Sequence, residues 1–412
     1  MQRTNLSSLN KRVECQLNQQ LSEEQKSQSR FVERTIPFGR PYIDADELDA
    51  VNEALGSPIL THGPKGKEFE KKFQAFMGGG YASTTSSCMA SLHISSIYFG
   101  LGAGDEVIVP AQTHVATVHA IEIVGAKPIF VDCTLDTGNI DPLKIEENIT
   151  SRTKAISLVH FAGIPADMDA IMEIARRHDL KVIEDCALAI GARYKGSHVG
   201  LIGDVGCFSF YPVKHITTAE GGMIVSKNQE VVAGIAHMCA FGVDRKHDER
   251  KIAGVYDVTS VGLNYRMSEI HASLGCSQMS KVEEILAKRK KNFGVLKKEL
   301  STVDDLYMLD SNNDEIKNAY YCAVLFLKNH LMDKRNLLIN KLNGLGIGTS
   351  VYYPHPVPRL SYYRNKYSVE SEKYKNATLI SDSSVALPVG PHLNEQDMLY
   401  IAQCVKKCIK EL

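Results

Sequence analysis

Between residues 80 and 227 short apolar runs alternate with helical patterns, and this alternation restricts the chain to few architectures. The runs are Glu106–Val109, Pro128–Asp132, Ala155–His160, Lys181–Asp185, Gly206–Tyr211 and Gly222–Val225. Helical segments lie between them: one after Ser87, one over Val115–Val124 and one over Asp167–His178. In the last, Met168, Ile171, Met172, Ile174 and Ala175 recur at helical spacing. Strands alternating with helices imply βαβ units and a mostly parallel sheet. The runs lack polar alternation, as strands do when both faces are covered. The fold class expected from this pattern is α/β.

Beyond about residue 245 the rhythm changes. A long helical stretch runs from Ser268 to about Leu300, with a break expected near Asn292–Gly294. A β-rich run over Ala319–Leu327, a helix near Met332–Leu345 and a closing helix over Asn394–Leu412 follow. This reads as a smaller C-terminal α+β domain. Residues 1–35 are rich in Gln, Ser, Asn and charge, and read as a polar extension outside the core. The expected division is therefore 1–35, a large domain over 36–260 and a small one over 261–412.

Composition narrows the function classes. The net charge of −1 gives no basic footprint for nucleic acid. The longest basic cluster, Lys288-Arg289-Lys290-Lys291, lies in a polar helical stretch and reads as a solvated face. No apolar run reaches the roughly 18 residues of a membrane helix, and no apolar segment marks a signal peptide. Ten cysteines occur without a CxxC spacing, several within apolar runs, as reduced buried thiols do. That favours a cytoplasmic protein with no metal centre.

Three local features can carry chemistry. An apolar strand runs into Lys214 within Phe208–Val225, and open α/β sheets bind ligands at the carboxyl ends of their strands. A lysine there is either a Schiff-base nucleophile or a surface loop residue. Asp185 ends another apolar strand; it can hold a protonated ring nitrogen or serve only as a cap or ion-pair partner. The hydroxylic run Thr84–Ser87 precedes Cys88-Met89-Ala90 and a helical pattern, which suits a phosphate site at a helix start or an ordinary N-cap. Lysine, acid and anion site together fit pyridoxal phosphate.

The chain also resembles the DegT/DnrJ/EryC1/StrS sugar aminotransferases, fold-type I pyridoxal-phosphate enzymes. The resemblance runs from about Phe38 to the C-terminus. It rests on Leu60–Pro64, Gly104–Pro110, Gly125–Pro128, Pro165–Met168, Glu184-Asp185, Phe208–Phe210 with Lys214, Glu220–Gly222, Asn264–Glu269 and Leu387–Pro391. It implies a large domain with a seven-stranded, mostly parallel sheet and a smaller C-terminal domain. It implies Lys214 as the Schiff-base lysine and Asp185 as partner of the pyridine nitrogen. Ser209 and the backbone at Cys88-Met89 match phosphate-binding positions. His114 matches an aromatic ring over the cofactor face, though by itself it is a helix-start histidine. Asn264 matches a residue that reaches the phosphate of a neighbouring subunit, which implies a homodimer with shared sites.

Three departures from the family pattern bear on the site. Cys88-Met89 stands where the family often has Gly-Thr, so Ser86 or Ser87 would have to supply a phosphate hydroxyl. Leu188 stands where a glutamine usually sits near the cofactor's phenolic oxygen. Tyr352–Pro358 replaces a His-Tyr-Pro-type run near the substrate. The resemblance implies transfer of an amino group from glutamate to a keto-sugar, with Lys214 as the acid–base group. One branch of the family carries histidine in place of the lysine and dehydrates its sugar. Here Lys214 is present and His215 is one position off, so dehydration ranks below transamination, as does a non-catalytic regulatory role.

Overall fold

The computed structural model describes residues 34–244, 252, 255–311, 313–368 and 373–412. Apart from Arg34 and Thr35, the polar N-terminal stretch lies outside the described residues. Seven strands form the main sheet: β1 (Tyr81–Thr85), β2 (Glu106–Pro110), β3 (Lys127–Val131), β4 (Thr153–Val159), β5 (Lys181–Asp185), β6 (Val205–Ser209) and β7 (Gly222–Ser226). Their order is β1-β7-β6-β5-β4-β2-β3. The pairs from β3 through β6 are parallel, and β7 runs antiparallel to both β6 and β1. The fold is thus the α/β arrangement with a mostly parallel seven-stranded sheet that the sequence pattern and the resemblance predict.

Alternate residues of these strands enter two different cores, which is why their polar alternation is missing. Val107, Val109, Ile183, Cys207 and Ile224 pack with Leu92, Ile94, Val118 and Ile121 from the helices Cys88–Tyr98 and Val115–Ile123. Ile108, Val182, Phe208, Met223 and Val225 pack on the other face with Phe69 and Phe73 of Pro64–Met77 and with Met168 and Ile171 of Met168–Arg177. Each fully buried side chain of this size contributes roughly 1.5–3 kcal/mol. A third core joins Phe293, Leu296, Leu325, Leu338, Ile401 and Val405, closed by Ile36 from the N-terminal side. A three-stranded antiparallel sheet of Leu306–Met308, Ala323–Leu327 and Ser384–Leu387 lies in this C-terminal part. The helix Glu269–Ser280 lies beyond residue 260, yet its Ala272, Cys276 and Met279 belong to the core of the large sheet.

Three local expectations change. The break in the long helical stretch falls at Lys281, between Glu269–Ser280 and Val282–Leu300. The helix continues through Asn292–Gly294 because the Asn292 amide donates to the carbonyls of Val389, Gly390 and Leu393 rather than competing for its own backbone. The strand expected from Ala319 starts only at Ala323, since Tyr320 has φ +52° and the Ala319 amide is held by the Gly163 carbonyl. The basic cluster is not one solvated face. Arg289 is only 4% exposed, while Lys288 and Lys291 pair at the surface with Glu284 and Glu395.

Candidate active site

The carboxyl edge of the sheet gathers the candidate residues. Register places Val159 beside Asp185, Asp185 beside Cys207, and Gly222 between Ser209 and Thr85. Lys214 follows β6 after a turn in which its amide donates to the Tyr211 carbonyl at 2.9 Å. His114 follows β2 and caps the helix Val115–Ile123. The start of the helix Cys88–Tyr98 lies against the same edge: a Cβ on Gly222 would meet the Ser87 carbonyl carbon at 2.5 Å. Gly222 is therefore required by close approach, which brings the Ser87–Cys88 turn down onto the sheet.

Strand parity separates the two adjacent carboxylates. Glu184 points to the face of Cys186 and is fully buried. Its Oε2 accepts from the Gly200 amide (2.6 Å) and His160 Nε2 (2.9 Å), and its Oε1 from the amides of Ile202 (2.9 Å) and Gly203 (2.6 Å). Four donors fill the four lone-pair directions of a carboxylate. His160 Nδ1 accepts from the Ala166 amide at 3.1 Å, which puts the ring proton on Nε2. His160, Glu184 and Cys186 bring ligand-type atoms within 4.8 Å of one another. The acceptor sites of Glu184 and His160 are already spent on these hydrogen bonds, and burial pushes the Cys186 thiol well above its usual pKa.

Asp185 points the other way, towards Cys88. The Thr117 hydroxyl donates to its Oδ2 at 2.7 Å and the Ala187 amide to its Oδ1 at 3.0 Å, with the Cys88 thiol 3.8 Å from Oδ1. Thr113 continues the chain of hydroxyls, 2.9 Å from Thr117. The carboxylate is buried but keeps acceptor capacity on the face of the candidate site. Lys214 is half-buried, and burial lowers its pKa against the opposing pull of Asp185. Among the described residues its ammonium meets no carboxylate at ion-pair distance. Instead it lies 5.2 Å from the ring centroid of Tyr321.

The remaining predicted residues divide. Ser87 spends its hydroxyl on the helix cap, accepting from the Ala90 amide at 3.0 Å. The amides of Cys88 and Met89, the first two of that helix, have no acceptor among the described residues, as expected of helix-start donors awaiting an anion. Ser209 is buried, and its Oγ accepts only a long contact from the Tyr211 amide at 3.4 Å. His114 stays exposed to solvent; it accepts from the Ala116 amide through Nδ1, partial desolvation lowers its pKa, and its ring lies 5.7 Å from that of Tyr353. Asn264 is exposed and accepts from Arg266 Nε at 3.1 Å, outside this chain's own cradle. Leu188 is buried in the core.

Tyr352 and Tyr353, from the run expected near the substrate, line the site, and Thr117 and Tyr321 join them without a sequence expectation. Tyr321 and Tyr352 share a hydroxyl contact of 2.7 Å. Thr117 carried a readable signal, three residues after His114 on a helix starting at the sheet edge. Tyr321 carried none, because it arrives from the C-terminal part by a tertiary contact.

The model of the DegT/DnrJ/EryC1/StrS aminotransferase family matches residues 41–406. The chain belongs to this family. It is 34% identical to the GDP-perosamine synthase of Escherichia coli O157:H7 over 90% of this chain and 98% of that one. It is 32% identical to the spore coat polysaccharide biosynthesis protein SpsC of Bacillus subtilis, covering 91% and 97%. The putative sugar aminotransferase Spr1654 from Streptococcus pneumoniae, solved in its PMP form, superposes with a TM-score of 0.87 at 28% identity, covering 92% of this chain and all of that one. This member of the family is accordingly a pyridoxal-phosphate-dependent aminotransferase. The residues present fit that cofactor: an amine without an acid partner, a buried carboxylate with open acceptor capacity, and two orphan amides at a helix start.

Proposed function

We propose that this aminotransferase moves an amino group from glutamate to a keto-sugar, a nucleotide-linked keto-deoxysugar in particular, for amino-sugar or surface polysaccharide biosynthesis. The observation that carries the reading is Lys214 at the sheet's carboxyl edge, short of an acid partner and held towards its neutral form by burial. The family match and the sugar-related names of its relatives support the acceptor class.

Pyridoxal phosphate, when bound, supplies an aldehyde carbon and an electron-accepting ring. Lys214 would hold the aldehyde carbon. Asp185, oriented by Thr117 and Ala187, would keep the pyridine nitrogen protonated. The Cys88 and Met89 amides, with Ser209 and the Ser87 turn, would hold the phosphate. His114 would cover one ring face as a neutral imidazole. With its amine free, Lys214 Nζ would take the proton from the α-carbon of the amino donor and, in the second half of the reaction, would give a proton to the acceptor carbon that becomes aminated.

A homodimer is part of the proposal. Ile59, Leu60, Phe241, Val258 and Val261 are exposed around Asn264, Val261 at 81%. Arg266 links them, bonding to His62 and lying over Phe241. A second copy covering this patch would bring its own Asn264 to this site. Among the described residues nine buried free thiols support a reducing compartment such as the cytoplasm, and no described helix is long and apolar enough to cross a membrane.

The test uses purified protein with added cofactor. Borohydride reduction is expected to attach pyridoxal phosphate to the peptide carrying Lys214, and Lys214→Ala to abolish both attachment and amino transfer. A panel of keto-sugars and nucleotide-linked keto-sugars, with glutamate as donor, identifies the acceptor. Turnover of simple keto acids with none of the sugars would overturn the acceptor class.

A further inference from the structure

Arg289 belongs to the helix Val282–Leu300, away from the strands that carry the site, and is 4% exposed. Its Nη1 donates to the Tyr321 carbonyl at 2.8 Å and its Nη2 to the Lys214 carbonyl at 3.3 Å, while its Nε has no partner. Among the described residues no carboxylate lies within ion-pair distance of it. A cation buried without an acid is costly, so such a residue survives where its hydrogen bonds position something. Both carbonyls it holds belong to residues that meet at the site. Lys214 sends its ammonium to the face of Tyr321, and the Tyr321 hydroxyl meets Tyr352. The planar fork of an arginine can bridge two carbonyls at fixed spacing, which a single ammonium cannot.

We propose that Arg289 is a positioning residue for Lys214: by tying the carbonyls of Lys214 and Tyr321 to one rigid fork, it sets where the lysine amine stands and holds the aromatic face against it. The proposal rests on Lys214 as the cofactor lysine.

Arg289→Met, Arg289→Lys and Asn292→Ala separate positioning from plain stability. Asn292 anchors the same helix to the carbonyls of Val389, Gly390 and Leu393 without touching Lys214. Each protein is freed of cofactor, pyridoxal phosphate is added back, and the growth of the visible band is followed together with the pH midpoint of that band. Arg289→Met is expected to slow capture about tenfold or more, since small misplacements of a reacting group are expensive. It should also move the midpoint, because a displaced amine stands at altered distances from Cys88, Asp185 and Cys322, the groups that act on it. Arg289→Lys, which cannot bridge both carbonyls, recovers only part of the rate and of the midpoint. Asn292→Ala lowers Tm and changes neither readout. A folded Arg289→Met with the wild-type rate and midpoint overturns the proposal, as does an Asn292→Ala that changes both equally. If Arg289→Met does not fold, a wild-type capture rate in Arg289→Lys overturns it. Borohydride label on a lysine other than Lys214 in the unmodified protein would instead sink the reading of the site itself.

Discussion

Glu184 and Asp185 are neighbours on one strand, and the two faces of the sheet put them to different uses. On one face Glu184 is saturated by three loop amides and a histidine, and the Gly200–Gly203 loop folds around its charge. On the other, Asp185 is oriented by one hydroxyl and one amide and keeps acceptor capacity towards the site. The same side-chain type is a structural anchor where its donors are complete and a working group where they are not. Composition and position cannot tell them apart; the number of donors that surround each one does.

Breaking the Asp185 side should give the largest effect on chemistry. Asp185→Ala is expected to lower kcat about 10²- to 10³-fold, the scale for losing one preorganised electrostatic contact, while Tm stays close to wild type. Steady-state kinetics with glutamate measure the first and thermal melting the second. The opposite pattern is expected across the strand. Glu184→Gln removes a buried charge that satisfies four donors and should cost about 2–4 kcal/mol of stability. The surviving folded enzyme should keep its turnover per active site, as chemical denaturation and active-site titration can check.

Acid sensitivity should follow the structural face. His198 packs on Phe76, its ring nitrogens make no well-formed hydrogen bond, and burial pushes its pKa down to about 4 against weak pulls from the Phe76 and Ala192 backbone. Between about pH 6.5 and 4 the unfolded chain takes up a proton there that the folded chain refuses. Stability contributed by the neutral ring is thus lost as pH falls through that window, by roughly 3 kcal/mol. His198→Leu should flatten this limb of a Tm-versus-pH curve, and an unchanged limb would break the assignment. The smallest effect is the sharpest test of the comparison. Thr117→Val removes one donor to Asp185, about 1 kcal/mol, and is expected to lower kcat about fivefold with KM for glutamate little changed.

Much of the fold was legible before any coordinates. Apolar runs without alternation announce strands covered on both faces, and β5 begins and ends where its run does, at Lys181 and Asp185. The strand Tyr81–Thr85 was hidden because its hydroxylic residues read as a binding turn, and only its pairing with Gly222–Ser226 makes it a strand. Arg289 was read as surface because three lysines surround it; its single core-facing position on the helix depends on which side meets the sheet. Tyr321 reaches the site from distant sequence, so no local pattern could assign it, whereas Tyr352 lies in the run that the family resemblance places near the substrate.

By itself the sequence determined the strand end at Asp185, the strand that leads towards Lys214, the helix start at Ser87, and the opposite facing of residues 184 and 185, because all follow from short-range periodicity and backbone geometry. The tertiary structure alone decided which carboxylate is saturated, that Lys214 lies against an aromatic face without an acid partner, and that Arg289 is buried behind it. Those outcomes depend on contacts between residues far apart in the chain, where hydrogen-bond completion and desolvation are set by neighbours the local sequence does not contain.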